Sequence, residues 1–542
     1  MIKKQVKNYV LNALDKLNIK YNNVIIQEPR NHENVDYATN IAMMLVKELN
    51  DSPFNIANEI VQELNKSQND FFKEITIAKP GFINFTINES QYSKIISSIL
   101  INGNLYGKSC IGKDKKALVE FVSANPTGPL TIGHGRGAII GEFASKILEW
   151  NGYEVQREYY FNNAGRQMRK LAQSVEARYN EILGKEFSFP KDGYEGNYIY
   201  DIANKIITLH GNKLINDIDS IKKHAEQIIF DDIKATLKKL KIVFNNFFNE
   251  KDLYENNNIY KIIERLKNNG LIYEMDGATW FKATDLGLSQ DRVLIKSTGE
   301  PTYRLPDMAY HKNKFDRKFD VIIDVFGADH MDAYPDVISV CKNIGYDTNK
   351  IKVLIHQFVT LEENGNPIKM STRKANFISL DKLIDTVGAD VVKYFFSMRG
   401  MNSHLNFDMS LAKDESDQNP VFYIQYAYAR AINILNRAKD GNYYKINAFK
   451  HSLLKNKEEI QIIKKLINFQ EIIEKSIEKF EPQLVATYLL DLSSIFHHYY
   501  SKHKVITDDR ELTIARTILI DSVRQVLYNG LNILGLKTPN KM

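Results

Sequence analysis

The sequence predicts an α/β fold, a doubly wound parallel sheet that carries an N-terminal α+β appendage and a C-terminal all-α helical bundle. Between residues 106 and 400, apolar β-branched runs alternate with amphipathic segments, as in doubly wound sheets. Before this region, helical and strand patterns are mixed. Beyond about residue 410, apolar residues recur only at helical spacing. We therefore expect three domains, covering residues 1–105, 106–400 and 401–542.

Composition excludes several classes of protein. The chain of 542 residues is 44% hydrophobic and 25% charged, which is ordinary for a globular protein of two to four domains. Its net charge of +6 permits a polyanionic partner without requiring one. The two cysteines, Cys110 and Cys341, have no metal-ligand spacing and form no disulfide framework. The N-terminus lacks an apolar signal core and no stretch is long enough to span a bilayer, so we expect a cytoplasmic protein without membrane association.

The first domain begins with a helical pattern through Val6, Val10 and Leu14. A short strand is predicted at 24–26, a helix at 41–49, and paired strands between 75 and 87 that turn at Pro80-Gly81. The run of residues 36–40 precedes the second helix. From these residues alone, Asp36 and Thr39 are interpreted as caps of that helix.

The stretch from 118 to 136 is the centre of the second domain. A buried strand is predicted at 118–122, Pro126, Gly128 and Pro129 force a turn, and an amphipathic helix begins near Gly133. The free N–H groups and the positive end of a helix dipole favour an anion at such a helix start. His134 lies in the first turn, where its imidazole can donate to a phosphate oxygen. Seen alone, a histidine at a helix start is more often a cap.

The remainder of this domain supplies further strands. Residues 170 to about 265 are helical and rich in Lys and Asn, which indicates an insertion. Strands are predicted at 279–282, 292–296, 319–326 and 352–359. The strand at 319–326 leads into Gly327-Ala-Asp-His330. Because ligands bind beyond the carboxyl ends of parallel strands, Glu120, His134 and His330 are expected at one edge of the sheet.

Two groups of residues suggest chemistry. Lys369-Met-Ser-Thr-Arg373 follows the last strand, and a basic loop there can close over a triphosphate, although most such pentads are solvated turns. Glu120 is the only charge in an apolar strand, and Asp307 follows Tyr303 by four residues. A guanidinium substrate needs such carboxylates. The alternatives are a structural ion pair for Glu120 and a helix cap for Asp307.

These motifs resemble the signatures of class I aminoacyl-tRNA synthetases, whose catalytic domain is Rossmann-like. The run Ser123-Ala-Asn-Pro-Thr-Gly-Pro129 is similar to the arginyl-tRNA synthetases of bacterial type, as are residues 36–40, 79–85, 419–430, 496–500 and 531–542. The resemblance covers nearly the whole chain. Two positions depart from the family pattern: Thr131 stands in place of the first signature histidine, and Thr372 in place of the second lysine of the Lys-Met-Ser-Lys-Ser signature.

The resemblance implies an arginine–tRNA ligase that activates arginine with ATP and transfers it to tRNA(Arg), releasing AMP and pyrophosphate. It implies catalytic roles for His134, Thr131, Lys369, Ser371 and Arg373, and ATP contacts from Pro126, Gly128, Gly133, His134, Gly327, Asp329 and Met370. It places arginine near Glu120, Ser123, Asn125, Tyr303, Asp307 and His330. ATP is expected to arrive with Mg²⁺ and no tightly bound metal is expected, since Asp329 and His330 lack a third ligand at suitable spacing.

The resemblance also implies an N-terminal domain that contacts the tRNA elbow, through Asp36 and Asn40, and a C-terminal domain that binds the anticodon. Tyr426, Tyr500 and Met542 are the candidates there, although a tyrosine at helical spacing is more often part of the core. In this family tRNA is generally needed even for the first step. A monomer without an editing domain is expected.

Two alternatives remain open from the sequence. A nucleotidylyltransferase also uses a Gly-x-His turn, but it needs neither the Lys-Met-Ser loop nor a helical C-terminal domain. A non-catalytic RNA-binding relative is favoured only by Thr131 and Thr372, because His134, Lys369 and Ser371 remain.

Overall fold

The computed structural model describes residues 2–29, 35–66, 70–163, 165–368, 378–446 and 449–542. Within these residues the chain forms a small N-terminal α+β unit, a central parallel sheet covered by helices, and a C-terminal helical bundle. The predicted fold class is confirmed. No helix in the described part of the chain has the length and apolar character needed to cross a membrane.

The N-terminal unit packs helices against a three-stranded sheet of order β1-β3-β2, in which both neighbouring pairs are antiparallel. Its elements are α1 (Ile2–Lys16), β1 (Tyr37–Thr39), α2 (Ile41–Leu49), α3 (Pro53–Lys66), β2 (Phe72–Ala78), β3 (Phe82–Ile87) and α4 (Glu89–Asn102). The predicted hairpin is therefore present. The predicted strand at 24–26 is not formed: Val24 and Ile26 are buried, but this stretch pairs with β1 only through the bridge between Gln27 and Ala38.

The central sheet has five parallel strands in the order β11-β10-β4-β5-β6. Its first elements are β4 (Lys116–Glu120), α5 (Ile132–Trp150), β5 (Glu154–Phe161), α6 (Gly165–Ile182), α7 (Asn197–His210), α8 (Ile218–Lys239) and β6 (Asn246–Asn249). Strand β4 ends two residues before the predicted end. Val122 and Ser123 adopt positive φ angles of 68° and 41°, which turn the chain out of the sheet. A β-branched residue in this conformation is strained, and such strain is concentrated at functional sites.

The region from 250 to 330 adds β10 to the central sheet and forms a second, smaller sheet. Its elements are α9 (Lys251–Glu255), α10 (Asn258–Asn268), β7 (Ile272–Met275), β8 (Ala278–Phe281), β9 (Arg292–Ile295), α11 (Arg304–Asp316) and β10 (Val321–Gly327). The strands predicted at 279–282 and 292–296 are present, but they pair antiparallel with each other and β8 also pairs with β7. The range 170–265, predicted as a helical insertion, also contains β6 of the central sheet.

The rest of the sheet domain contains α12 (Tyr334–Asn343), β11 (Ile351–His356), β12 (Val359–Glu363), β13 (Asn366–Pro367), α13 (Leu380–Val387), α14 (Ala389–Ser397), β14 (Leu405–Asp408) and α15 (Met409–Lys413). The strand predicted at 352–359 is divided between β11 in the central sheet and β12, which pairs with β13 and β14. The bundle consists of α16 (Pro420–Asp440), α17 (Lys457–Ile467), α18 (Phe469–Lys479), α19 (Pro482–Lys502) and α20 (Arg510–Ile533).

The bundle contacts both other units through polar bonds. Lys146 on α5 donates to the carbonyl of Asn532 at 3.3 Å, and Lys393 on α14 donates to the carbonyl of Gly535 at 2.7 Å. On the other side, Lys464 of α17 forms an ion pair of 2.6 Å with Asp36 of the N-terminal unit. The bundle therefore lies against the catalytic sheet domain and the N-terminal unit at the same time.

Candidate active site

The N-terminus of α5 is fixed by a reciprocal cap. Thr131 is the N-cap in extended conformation, and its Oγ1 accepts from the backbone N–H of His134 at 3.5 Å. In return, Nδ1 of His134 accepts from the backbone N–H of Thr131 at 3.1 Å. This is a capping box, with histidine in the position where glutamate is usual. Local sequence thus explains why this helix begins where it does.

The cap also determines the tautomer of His134. A backbone N–H can only donate, so Nδ1 is unprotonated and the neutral ring carries its proton on Nε2. Burial lowers the pKa of His134, and Asp329 opposes that change only in part. His134 is therefore a neutral donor whose Nε2–H is available to a phosphate oxygen. The hydroxyl oxygen of Thr131, which was predicted to contact phosphate, accepts the capping hydrogen bond of the helix.

The turn and the helix start leave room for an anion. A Cβ at Gly133 would meet only Thr131 Oγ1, at 3.7 Å, so the approach to the first turn is open. At Gly128 the space is taken on one side by Tyr198 of α7, whose hydroxyl donates to the Thr127 carbonyl at 2.9 Å. Pro126 is buried beneath this turn. The predicted ATP contacts of this turn therefore surround one accessible helix N-terminus.

Strand β10 brings the second half of the site. It pairs in parallel with β4, with Asp324 opposite Glu120, so its end at Gly327 lies beside the turn that follows β4. Asp329 and His330 follow Gly327 and expose 70% and 55% of their side chains. The ring of His330 stacks on Phe326 with centroids 5.1 Å apart. As predicted, both strand ends lie at one edge of the sheet.

The predicted loop residues Lys369, Met370, Ser371 and Arg373 lie outside the described residues. Both flanks are described. Before the loop, Ile368 donates its N–H to the carbonyl of Leu361 at 2.8 Å. After it, Leu380 donates its N–H to the carbonyl of Leu130 at 2.8 Å, and Ser379 forms a β-bridge with Thr131. Ser379 and Leu380, which follow the loop in the chain, therefore lie directly beside the cap of α5.

Glu120 proves to be part of a buried ion pair. Its side chain is 4% exposed, Oε2 accepts from Lys314 at 2.5 Å and Oε1 accepts from the Ser123 hydroxyl at 2.8 Å. Ser123 Oγ also accepts from the N–H of Tyr160 at 3.1 Å. The structural alternative for Glu120 is thus realised. The side chains of Glu120 and Ser123 are therefore bonded within the protein, and their direct contacts with arginine stay predictions.

The other predicted arginine contacts are accessible. Asp307, in the first turn of α11, exposes 34% of its side chain, and its carboxylate faces His311 on the same helix at 3.1 Å. It caps no backbone N–H at the helix start. Tyr303, the N-cap residue, is 67% exposed. Asn125 is exposed and donates to Gln167 at 2.7 Å.

Glu250 is a candidate that sequence reasoning missed. It directly follows β6, is 7% exposed, and accepts from the Tyr160 hydroxyl at 2.8 Å. Burial raises the pKa of Glu250, the Tyr160 hydrogen bond opposes this, and the charge of Asp307 adds to the rise. The two carboxyl groups are therefore near enough for the charge of one to act on the other. A carboxylate at the end of a strand would indicate such a site, but residues 246–249 lie within the range that the sequence predicts to be helical.

The predicted tRNA contacts differ in accessibility. Asp36 is 8% exposed and both its oxygens are used within the protein, one by Lys464 and one by the N–H of Ile87 at 2.7 Å. This corrects the direct RNA contact predicted for that carboxylate. Asn40 is half-buried and forms no side-chain cap hydrogen bond with α2. Tyr426, Tyr500 and Met542 expose 43%, 38% and 54% of their surface.

A cation lies between the two exposed tyrosines of the bundle. The guanidinium carbon of Arg430 is 4.3 Å from the ring centroid of Tyr426 and 4.8 Å from that of Tyr500. His497 accepts from Arg430 at 2.7 Å and its ring lies 5.8 Å from Tyr426. Rings held by a cation on a helical surface make a platform on which nucleic-acid bases can stack.

Comparison with known proteins agrees with this arrangement. Residues 2–87 match the arginyl tRNA synthetase N terminal domain, residues 95–393 match the catalytic domain of tRNA synthetases class I (R), and residues 424–542 match the DALR anticodon binding domain. The arginine–tRNA ligase of Desulfotalea psychrophila is 46% identical and the alignment covers 95% of this chain and 94% of that protein. That of Chlorobaculum tepidum is 44% identical over 98% and 99%. The arginyl-tRNA synthetase structure of Thermus thermophilus shares the fold, with a TM-score of 0.79 at 20% identity and full coverage of both chains.

A five-stranded parallel sheet with the capped start of α5 at its carboxyl edge, followed by a helical bundle, is the architecture of a class I aminoacyl-tRNA synthetase. The match of the catalytic domain and the identity to full-length relatives go further. The chain belongs to the arginyl-tRNA synthetases, as the sequence predicts, and it is an enzyme of the ligase class.

Proposed function

We propose that the edge of the sheet at β4, β10 and β6 is where arginine is activated with ATP before its transfer to tRNA(Arg). Membership of the family supports arginine–tRNA ligation as the activity of the chain. The observation that carries the assignment to this edge is the meeting of two sites there. The His134 helix start, after β4, can hold phosphates. Glu250 follows β6 of the same parallel sheet, and the charge of Asp307 on α11 acts on it.

In the first step, the carboxylate of bound arginine attacks the α-phosphorus of ATP in line and pyrophosphate leaves. The protein contributes position and charge stabilisation to this step. His134 donates from Nε2 to a phosphate oxygen, and the N–H groups at the start of α5 add a favourable dipole. Lys369, Ser371 and Arg373 are proposed to bind the leaving pyrophosphate. This is supported by Ser379 and Leu380, which follow them in the chain and bond to Thr131 and Leu130 at the start of α5.

The guanidinium is proposed to lie between Asp307 and Glu250, with the ring of Tyr303 over it. Two carboxyl groups suit the planar fork of a guanidinium, which can donate to both at once. A neutral side chain would leave these acids unpaired in a desolvated pocket, at a cost of several kcal/mol. Asn125 and His330 border the same space and are proposed to bind the α-amino and carboxylate groups of arginine.

Gly128, Gly133, Gly327 and Asp329 are proposed to line the ATP site, with Pro126 fixing the turn. Mg²⁺ is proposed to arrive bound to the phosphates of ATP and to neutralise their charge. Among the described residues, no group of three or more His, Cys, Asp or Glu side chains is placed to hold a metal ion.

The terminal ribose hydroxyl of tRNA(Arg) then takes the arginyl group, and AMP leaves. Tyr426, Tyr500 and Met542 are proposed to contact the anticodon, and Asn40 the tRNA elbow, because each presents an accessible side chain. A monomer and a cytoplasmic location remain predictions from the sequence.

ATP–pyrophosphate exchange tests this proposal. It is to be measured with arginine, lysine and glutamate, each with and without tRNA(Arg). Exchange with arginine alone, dependent on tRNA, is expected. Binding of tRNA without exchange under any condition would instead identify an RNA-binding relative, and exchange independent of both amino acid and tRNA would identify a nucleotidylyltransferase.

A further inference from the structure

His311 lies one helical turn after Asp307 on α11, and its side chain is 2% exposed. Nδ1 is 2.9 Å from the carbonyl oxygen of Asp307 and 3.1 Å from its carboxylate. Nε2 is 2.9 Å from Oδ2 of Asp324 on β10. Both ring nitrogens therefore face oxygen atoms that accept hydrogen bonds. Only the doubly protonated ring can donate to both sides.

The acceptors of His311 are themselves fixed. Lys314, fully buried one turn further along α11, donates to Oδ1 of Asp324 at 2.7 Å and to Glu120 at 2.5 Å. Asp324 is fully buried in β10, so neither of its oxygens can turn to solvent. The five residues Asp307, His311, Asp324, Lys314 and Glu120 form a continuous chain in which carboxylates and cations alternate. Asp307 is the only one of them whose side chain is as much as one-third exposed.

We propose that His311 is a positioning residue that is charged at neutral pH, an imidazolium that holds the Asp307 carboxylate in place for the substrate guanidinium. The proposal rests on the function proposed above, because it takes Asp307 as an arginine contact. In this proposal His311 does not touch the substrate but orients Asp307, which binds it.

The groups that face His311 support the charged form. Burial and the Lys314 ammonium disfavour a second proton, but Asp307 and Asp324 outweigh them and raise the pKa of His311 to about 10. Glu120 of β4 and Tyr310 of α11 lie in the same cluster, and Cys341 of α12 packs beside it. Asp324 remains an anion because Lys314 and His311 overcome its burial and lower its pKa to about 2.

The first test is spectroscopic and does not depend on activity. The full-length chain is labelled with ¹⁵N-histidine, and the His311 signal is assigned by its absence from a His311→Gln variant. At about pH 8, well above the ordinary histidine pKa, both ring nitrogens are expected to carry protons. A ring with one bare nitrogen at that pH would overturn the proposal, even if the variant fails to fold and the signal is assigned by other means.

The second test is kinetic. In aminoacylation, His311→Gln is expected to raise KM for arginine about tenfold or more, the effect of losing one charged hydrogen bond, while KM for ATP stays unchanged. The matched control is His210→Gln on α7, whose ring contacts His224 and none of these residues. Equal changes in both KM values, or none, would refute a positioning role. If the wild-type chain itself fails to charge tRNA(Arg), the proposed function is wrong and the ¹⁵N result still decides the charge of His311.

Discussion

Nδ1 of His134 accepts a hydrogen bond from the backbone N–H of Thr131, so the histidine proposed to bind phosphate is also part of its own helix cap. The cap uses Nδ1, and the proton of the neutral ring lies on Nε2. His134 is therefore a neutral donor already oriented by the backbone.

Replacement of His134 by alanine is expected to lower kcat for ATP–pyrophosphate exchange by about 100-fold, since one oriented donor to the phosphates is lost. Thr131→Ser, which keeps the capping oxygen, serves as the control and should retain near wild-type kcat. Thr131→Ala should cost about 1 kcal/mol of stability through the lost cap. A His134→Ala variant with unchanged kcat would remove this residue from the reaction.

Asp307→Asn and Glu250→Gln are expected to raise KM for arginine by about 10- to 100-fold each, because each removes one charged acceptor from the guanidinium pocket. KM for ATP should not change. The control is Glu255→Gln, an exposed residue at the end of α9. If Glu250→Gln left KM for arginine unaltered, the second carboxyl group would have only a structural role beside Tyr160.

The pH dependence of stability has a defined sign. The folded-state pKa of His311 is raised from 6.5 to about 10, so its contribution is complete below about pH 6.5 and is lost as the pH rises through 10. The difference in Tm between the wild type and His311→Gln should therefore shrink across this window. Thermal unfolding followed by circular dichroism measures it. A difference that is constant from pH 6.5 to 10 would contradict the charged histidine.

The contribution of Asp324 to stability has the opposite pH dependence and is lost in acid. Its pKa is lowered to about 2, so its contribution is present above about pH 4 and is lost as the pH falls through 2. Asp324→Asn should lower Tm at neutral pH, because it leaves Lys314 and His311 short of a buried partner, and the loss should diminish in acid. Thermal unfolding of both proteins, followed by circular dichroism from pH 7 downward, measures this difference in Tm.

A variant of Asp36 can distinguish a structural role of this carboxylate from a contact with RNA. Asp36→Asn should lower Tm, because the ion pair with Lys464 and the acceptor for Ile87 are weakened, while the affinity for tRNA measured by filter binding changes little. Lys464→Met is the matched variant and should behave in the same way. Reduced tRNA affinity in Asp36→Asn at an unchanged Tm would restore the predicted contact with the tRNA elbow.

The tyrosines of the bundle should act on tRNA alone. Tyr426→Ala and Tyr500→Ala are each expected to raise KM for tRNA about tenfold, since stacking of one base on an aromatic ring contributes about 1–3 kcal/mol. KM for arginine and ATP should stay as in the wild type. Tyr443→Ala, in the loop after α16, is the control. A general loss of activity with all three substrates would indicate a packing role for these rings.

The sequence predicted the parts of the site that depend on local signals. The apolar run of β4, the Gly/Pro turn and the start of α5 are adjacent in the chain, so pattern alone located His134. Ion pairs between residues far apart in the sequence could not be predicted from it. Nothing near Glu120 indicates that its cation is Lys314, 194 residues away, because a buried ion pair depends on the packing of β4, β10 and α11.

The other differences between the predicted and the observed structure arise where an element is short or where its partner lies in another domain. Strand β6 has four residues and is recognised as a strand only by its pairing with β5, so Glu250 was assigned to a helical region. Asp36 reads as a helix cap because its partner lies in another domain. Beyond residue 410 the sequence predicts helices without their boundaries, and Asn468 is one such boundary, the C-cap of α17 and the N-cap of α18.

Helix α5 has 19 residues and is therefore about 28 Å long. Its first turn holds His134, and Lys146, three turns later, is bonded to the carbonyl of Asn532 near the end of α20. One helix thus begins at the proposed nucleotide site and is bonded to the bundle three turns later. A shift of the end of α20 against the central sheet would either break this bond or move the start of α5 with it.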